Sequence, residues 1–216
     1  MYHSQYGQDE FLDKKVFNEK RNGVFVDIGA HDGVLLSNTF FFEKFRDWKG
    51  ICIEPVPATF RKLSENRNSI NINGCITNVR GSFRFLEISG YAEMLSGMLD
   101  NYDEKHLARI DREISTYGGS KRVIDVPGYN INELLLTHGI KNIDYCSIDT
   151  EGNEFEILKT IHFNEIRIEV FTIENNYGKS DIRDFMEGNG YRMIRKLSCD
   201  EVYQLNNTDK NGKLQA

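Results

Sequence analysis

The stretch Gly23-Val24-Phe25-Val26-Asp27-Ile28-Gly29-Ala30-His31-Asp32-Gly33 constrains this chain more than any other. Val24 to Ile28 is a β-branched and aromatic run of the kind that forms a parallel strand buried on both faces. A small-residue turn ends it, and Phe40 to Phe45 follow at helical period behind Ser37-Asn38-Thr39. Strand, glycine turn and helix open a nucleotide-binding βαβ unit, because such a turn lets a ligand approach the backbone and the helix start. Two acids sharpen that reading. Asp27 sits just before Gly29, and Glu54 closes a second strand (Gly50 to Glu54) ahead of Pro55.

With 216 residues the chain suits one α/β domain, expected over 1–205 and followed by a polar tail at 206–216. Phe11, Leu12, Lys15 and Val16 predict an N-terminal helix over 8–20. A helix from Thr59 to Asn66, a third strand over Gly74 to Thr77 and an added strand over Gly81 to Ile88 come next. Between residues 89 and 129 the strand–helix rhythm breaks. This insertion holds a charged helical stretch (Asp103 to Ser115) and a short strand (Arg122 to Val126). Segments of this length often serve as lids or substrate walls, so Tyr91 to Ser120 is a candidate acceptor wall; a solvated surface excursion is the equal alternative.

Asn130 starts a capped helix that Gly139 ends. Strand four then closes on Asp149-Thr150-Glu151-Gly152, and strand five, Glu169 to Glu174, also ends in an acid. Acids at such strand ends lie where ligands bind in open α/β sheets. A helix from Ser180 to Glu187 precedes a terminal hairpin, Tyr191 to Lys196 and Glu201 to Leu205.

Several classes fall away. No apolar run approaches the ~20 residues that a spanning helix needs. A net charge of -6 without a Lys/Arg cluster argues against a nucleic-acid surface. No basic, then apolar, leader opens the chain. Cys52, Cys75, Cys146 and Cys199 are scattered singly, which reads as buried thiols in a reducing, cytoplasmic setting.

The ligand of the first turn follows from charge. A dinucleotide would bring its pyrophosphate between Asp27 and Asp32, like charge against like. A ligand with an ammonium and a sulfonium but no phosphate fits better, and S-adenosylmethionine has this character. Asp27 would attract its amino group, the Ser37-Asn38 helix start its carboxylate, and Glu54 its ribose hydroxyls. A nicotinamide-dependent oxidoreductase and a non-catalytic S-adenosylmethionine-binding module are the alternatives.

From about Ser4 to Asn206 the chain resembles the FkbM-type S-adenosylmethionine-dependent methyltransferases. The matches are Ser4 to Asp9, Val26 to Gly33, Leu36 to Thr39, Ile53-Glu54-Pro55, and Ile148 to Glu154 with Ile157-Leu158. His31 stands where general methyltransferase patterns carry a middle glycine, a change that FkbM-type proteins tolerate. The resemblance implies an α/β class I methyltransferase fold, a Rossmann-like three-layer sandwich. Its seven-stranded, mostly parallel sheet would have its last strand inserted antiparallel. It also implies O-methylation of a hydroxylated small molecule, sugar or glycan.

The cofactor site expected on these grounds comprises Asp27, Gly29, Ala30, His31, Gly33, Ser37, Asn38, Glu54, Pro55 and Asp149. Asp149, Glu151 and Glu174 are the expected catalytic residues, since a hydroxyl needs a base to become a good nucleophile. His31 is a further candidate base, and His106 reads as a surface residue. No metal-ligand spacing is visible, so no metal is expected.

Overall fold

The structure is a computed structural model, and it describes residues 1–102, 104–176, 178 and 180–206. α1 (Gln8–Phe11) runs into one π-helical turn, Leu12–Val16. The helix expected over 8–20 therefore stops early. Asn18, Glu19 and Asn22 take positive φ, which Asn tolerates and a continuing helix does not. Buried Asp13 fixes this segment to the body through Arg46, at 2.7 Å.

β1 (Val24–Ile28), α2 (Phe40–Arg46), β2 (Lys49–Glu54), α3 (Pro57–Asn66) and β3 (Ile70–Asn73) follow in order. The third strand is thus earlier than expected. Cys75 and Ile76, read as its centre, instead form β4 (Cys75–Ile76) of a second sheet. That sheet also holds β5 (Gly81–Gly90), β6 (Gly97–Met98) and β7 (Gly119–Tyr129), in the order β4-β7-β5-β6. α4 (Glu104–Tyr117) covers it and buries Ile110 against Leu86, Ile88 and Leu95. The insertion is no loose excursion. Its strand β7 pairs along the whole of β5, from Gly81–Gly128 to Gly90–Gly119.

The chain returns to the main sheet through α5 (Ile131–Thr137), whose Asn130 cap accepts from the amides of Asn132 and Glu133. β8 (Asn142–Ile148), α6 (Glu154–Thr160), β9 (Arg167–Glu174), α7 (Ser180–Gly188), β10 (Tyr191–Leu197) and β11 (Asp200–Leu205) complete it. The strand order is β10-β11-β9-β8-β1-β2-β3, and β11 runs antiparallel to both neighbours. This is the seven-stranded, mostly parallel Rossmann-like sheet of class I methyltransferases, with the last strand inserted. The tail beyond Asn206 lies outside the described residues.

Strand period decides which side chains reach the site. Val26 and Ile28 point into the core beneath α5, α6 and α7. Phe25 points the other way, among Phe41, Phe42, Trp48 and Leu63 of the α2 and α3 side. Asp27 shares that second face, which brings its carboxylate to α2 and to the residue just after α3. No helix among the described residues is long and apolar enough to cross a membrane.

Candidate active site

A cavity of about 720 Å³ opens at the C-terminal ends of β1, β2, β8 and β9 and is walled by the second sheet and α4. Its size lies in the upper part of the range that holds small-molecule ligands. All ten residues expected at the cofactor site, except Gly33, line it.

The glycine turn is shaped by contact with β8. Gly29 and Ala30 both donate to the Ile53 carbonyl at 3.0 Å. Gly29 has φ +89, and a Cβ there would lie 1.7 Å from the Asp149 carbonyl oxygen. Only glycine allows that approach. Gly33 stands behind the turn, where a Cβ would meet Arg67 and Leu63 at 2.6 Å.

Asp27 is 4% exposed. Its carboxylate accepts from Thr39 Oγ1 at 2.5 Å and lies 4.0 Å from Arg67 Nη1. Burial raises its pKa despite that arginine. Glu54 accepts from the His31 amide at 3.0 Å and the Val56 amide at 2.8 Å, one on each oxygen. Each oxygen keeps a second lone pair for a ligand hydroxyl. Burial pushes the Glu54 carboxyl up to about 7.

The start of α2 differs from the expected carboxylate cradle. Ser37 Oγ accepts from the amides of Thr39 and Phe40 and so takes two donors at the helix start that a ligand carboxylate would use. Asn38 Nδ2 donates to Ser147 Oγ at 3.0 Å, leaving Asn38 Oδ1 buried without a partner. An orphaned acceptor beside Asp27 suits an ammonium rather than a carboxylate. The donor set therefore fits S-adenosylmethionine: Asp27 and Asn38 for the amino group, Glu54 for the ribose.

At the floor, Asp149, Glu151 and Glu174 bring carboxylate oxygens within 4.8 Å of one another. Glu174 Oε1 accepts from Asn176 Nδ2 at 2.7 Å, whereas Oε2 is buried without a partner. Burial and then its neighbour Asp149 push Glu174 up to about 12. Burial and then Glu151 hold Asp149 well above the usual range, while burial, opposed by Arg109, places Glu151 at about 7. The Thr150–Gly152 turn is not Asp149's work. Glu154 Oε1 accepts from the Thr150 amide and hydroxyl and from the Gly152 amide, at 2.9–3.0 Å. No hydrogen bond to the Asp149 carboxylate is present among the described residues, so that group is available for chemistry.

His31 faces the insertion. Its Nε2 lies 3.5 Å from Glu93 Oε1, which joins the turn to the cavity wall. His106 is not at the surface: it is buried and stacked on Tyr102 with ring centroids 4.6 Å apart. Tyr91, Met94, Arg112 and Tyr117 line the cavity from the insertion. Sequence reasoning missed Arg67, which nothing local marks; only the buried acids around it demand such a cation. Glu154 stands in the family-like run, but its hold on the Thr150–Gly152 turn comes from the structure.

Residues 27–193 match the family described as Methyltransferase FkbM domain, more than half of the chain. The chain belongs to the FkbM methyltransferase family. S-adenosylmethionine is the cofactor expected of such an FkbM domain, in agreement with the donor set above. Among curated proteins none matches the sequence. The FkbM methyltransferase of Methylobacillus flagellatus is a structural neighbour at 12% identity and TM-score 0.47, covering 85% of this chain and 43% of that one. A TehB-like SAM-dependent methyltransferase from Corynebacterium glutamicum gives 9% identity and TM-score 0.45, over 93% of this chain and 88% of that one. A NADB-Rossmann superfamily protein from Streptococcus agalactiae gives 10% and 0.48, over 97% and 72%. These are distant likenesses, and membership of the FkbM family rests on the domain match.

The crowded acids make a pH prediction. A carboxyl that binds its proton more tightly when folded favours folding below pH 4.5, and that preference is lost as pH climbs through 7. Glu54 alone, raised to about 7, is worth about 3 kcal/mol across the window. Thermal unfolding of ligand-free protein in EDTA should show Tm falling from pH 5 to pH 8. A Tm that rises over this range would contradict the site's electrostatics.

Proposed function

We propose that this FkbM domain methylates a hydroxyl oxygen on a sugar, glycan or small natural product. The observation that carries the reading is the convergence of Asp149, Glu151 and Glu174 at the floor of a cavity shared by the cofactor turn and the insertion. When bound, S-adenosylmethionine supplies an electrophilic methyl group. Asp27, Asn38 and Glu54 bind and orient that cofactor. The acidic floor receives the acceptor's proton. Glu151, held near 7, is matched to take it up at neutral pH, and Asp149, in contact with the glycine turn, orients the hydroxyl. The buried thiols Cys52, Cys75 and Cys146 fit a reducing compartment, which supports a cytoplasmic location.

Labelled methyl transfer to a panel of hydroxylated metabolites and glycans tests the proposal. Product label on oxygen supports it; transfer only to nitrogen or carbon, or cofactor binding without any transfer, rejects it.

Glu54 offers a narrower check. Glu54→Gln keeps the shape but loses one acceptor oxygen and the charge, so cofactor affinity should fall by about 1.5–3 kcal/mol. Calorimetry with S-adenosylhomocysteine measures this. An unchanged Kd in a folded variant would remove Glu54 from the ribose role.

A further inference from the structure

The acidic floor has a feature that proton transfer alone does not require. Glu174 is only 8% exposed, and its Oε2 is buried with no partner while Oε1 is held by Asn176. A buried carboxylate oxygen left unmatched is costly, and three acids together multiply that cost. The neighbours of Asp149 make it worse, since Glu151, Asp200, Glu154 and Asp27 all carry the same sign. Arg109 offsets the charge at Glu151.

We propose that Asp149, Glu151 and Glu174 form a binding site for one divalent, oxygen-preferring cation such as Mg²⁺ or Mn²⁺. The geometry suits it. Oxygens ligating one small cation at about 2.1 Å lie within ~4.2 Å of one another, and the three carboxylates offer oxygens within 4.8 Å. Rotation of the side chains closes the difference. The donors are all carboxylate oxygens, the hard ligands that these ions select over softer metals. Glu174 Oε2 gains the partner it lacks, and the cation offsets charge at Asp149 and Glu174, whose charged neighbours are acids.

Glu174 arrives from β9 and the other two from the end of β8, so only the fold assembles the set. That explains why no ligand spacing is visible along the chain. A cation here would polarise an acceptor hydroxyl and lower the cost of removing its proton. This catalytic meaning rests on the proposed methyl transfer; the binding site itself does not.

The test is titration of the full chain with Mn²⁺, read by loss of the free-ion signal in electron paramagnetic resonance, without acceptor. We expect one Mn²⁺ per chain, displaced by Mg²⁺. Glu174→Gln and Glu151→Gln should each weaken it by at least about 10-fold, the scale seen when metal-site groups are removed. Unfolding midpoints confirm that both variants fold, and Gln imitates the protonated acid in shape. No saturable Mn²⁺ binding, or binding that both variants retain, would overturn the site. Methyl transfer that persists fully in EDTA would reject the cation's catalytic role and leave the proposed function standing. Mn²⁺ bound by a chain that methylates no hydroxyl would support the cation site and reject the proposed reaction.

Discussion

Arg67→Met should cost about 3–5 kcal/mol of folding free energy, the penalty for removing one partner from buried ion pairs. The Arg67 side chain is 0% exposed. Its Nε donates to Glu43 at 2.8 Å, Nη1 to the Gly33 carbonyl at 3.1 Å, and Nη2 to Thr39 Oγ1 at 3.0 Å. Its guanidinium lies over the rings of Phe25 and Phe40, at 5.2 and 5.8 Å. Methionine would fill the volume and leave Glu43 and Asp27 buried without their cation. Lysine keeps the charge but not the planar fork, so Arg67→Lys should recover only part of the loss. Urea unfolding of the three proteins decides the matter. A loss below about 1 kcal/mol in Arg67→Met would mean that both acids are protonated in the folded state and need no cation.

The second large effect is chemical. Asp149→Asn should lower kcat by ~10²-fold, the scale expected when a reacting hydroxyl loses its orientation. Stability should hold or rise. Glu154 shapes the adjoining turn, and the variant removes one of three crowded carboxyls. Cofactor affinity should change little, because the proposed binding groups lie on Asp27, Asn38 and Glu54. Turnover, Tm and S-adenosylhomocysteine affinity measured on the same preparation separate these effects. A stable variant with near-normal kcat would pass the role to Glu151 or Glu174.

Much of the fold was legible because buried parallel strands announce themselves. Val24 to Ile28 and Ile143 to Ile148 are runs buried on both faces, and the terminal hairpin shows as two strand-like runs around a short loop. β3 was misplaced for the opposite reason. Ile70-Asn71-Ile72-Asn73 is an edge strand with one half-polar face, and it lacks the apolar run that drew attention to Cys75 and Ile76. The second sheet was hidden because Gly81 to Gly90 pairs with Gly119 to Gly128, far along the chain, a partner that local pattern cannot name.

The site divides in the same way. Asp27, Glu54 and Asp149 could be read from strand ends, where position along the chain equals position in space. The orphaned Asn38 oxygen and the meeting of three acids depend on contacts between distant segments. So does Arg67, whose buried charge is intelligible only beside Asp27 and Glu43.

The contact between Gly29 and the Asp149 carbonyl has a consequence for how this enzyme can change. A Cβ at 29 would overlap that oxygen, so donor turn and reactive floor cannot drift apart by small steps. On the proposed function, variation in acceptor choice is channelled instead into the roof, where Tyr91 and Tyr117 stand 67% and 60% exposed and pack against each other. A library aimed at new acceptors should randomise those two tyrosines with Arg112 and leave positions 29 and 149 untouched. Ancestors and engineers face the same partition: the hinge of the chemistry is frozen, and the doorway is free to evolve.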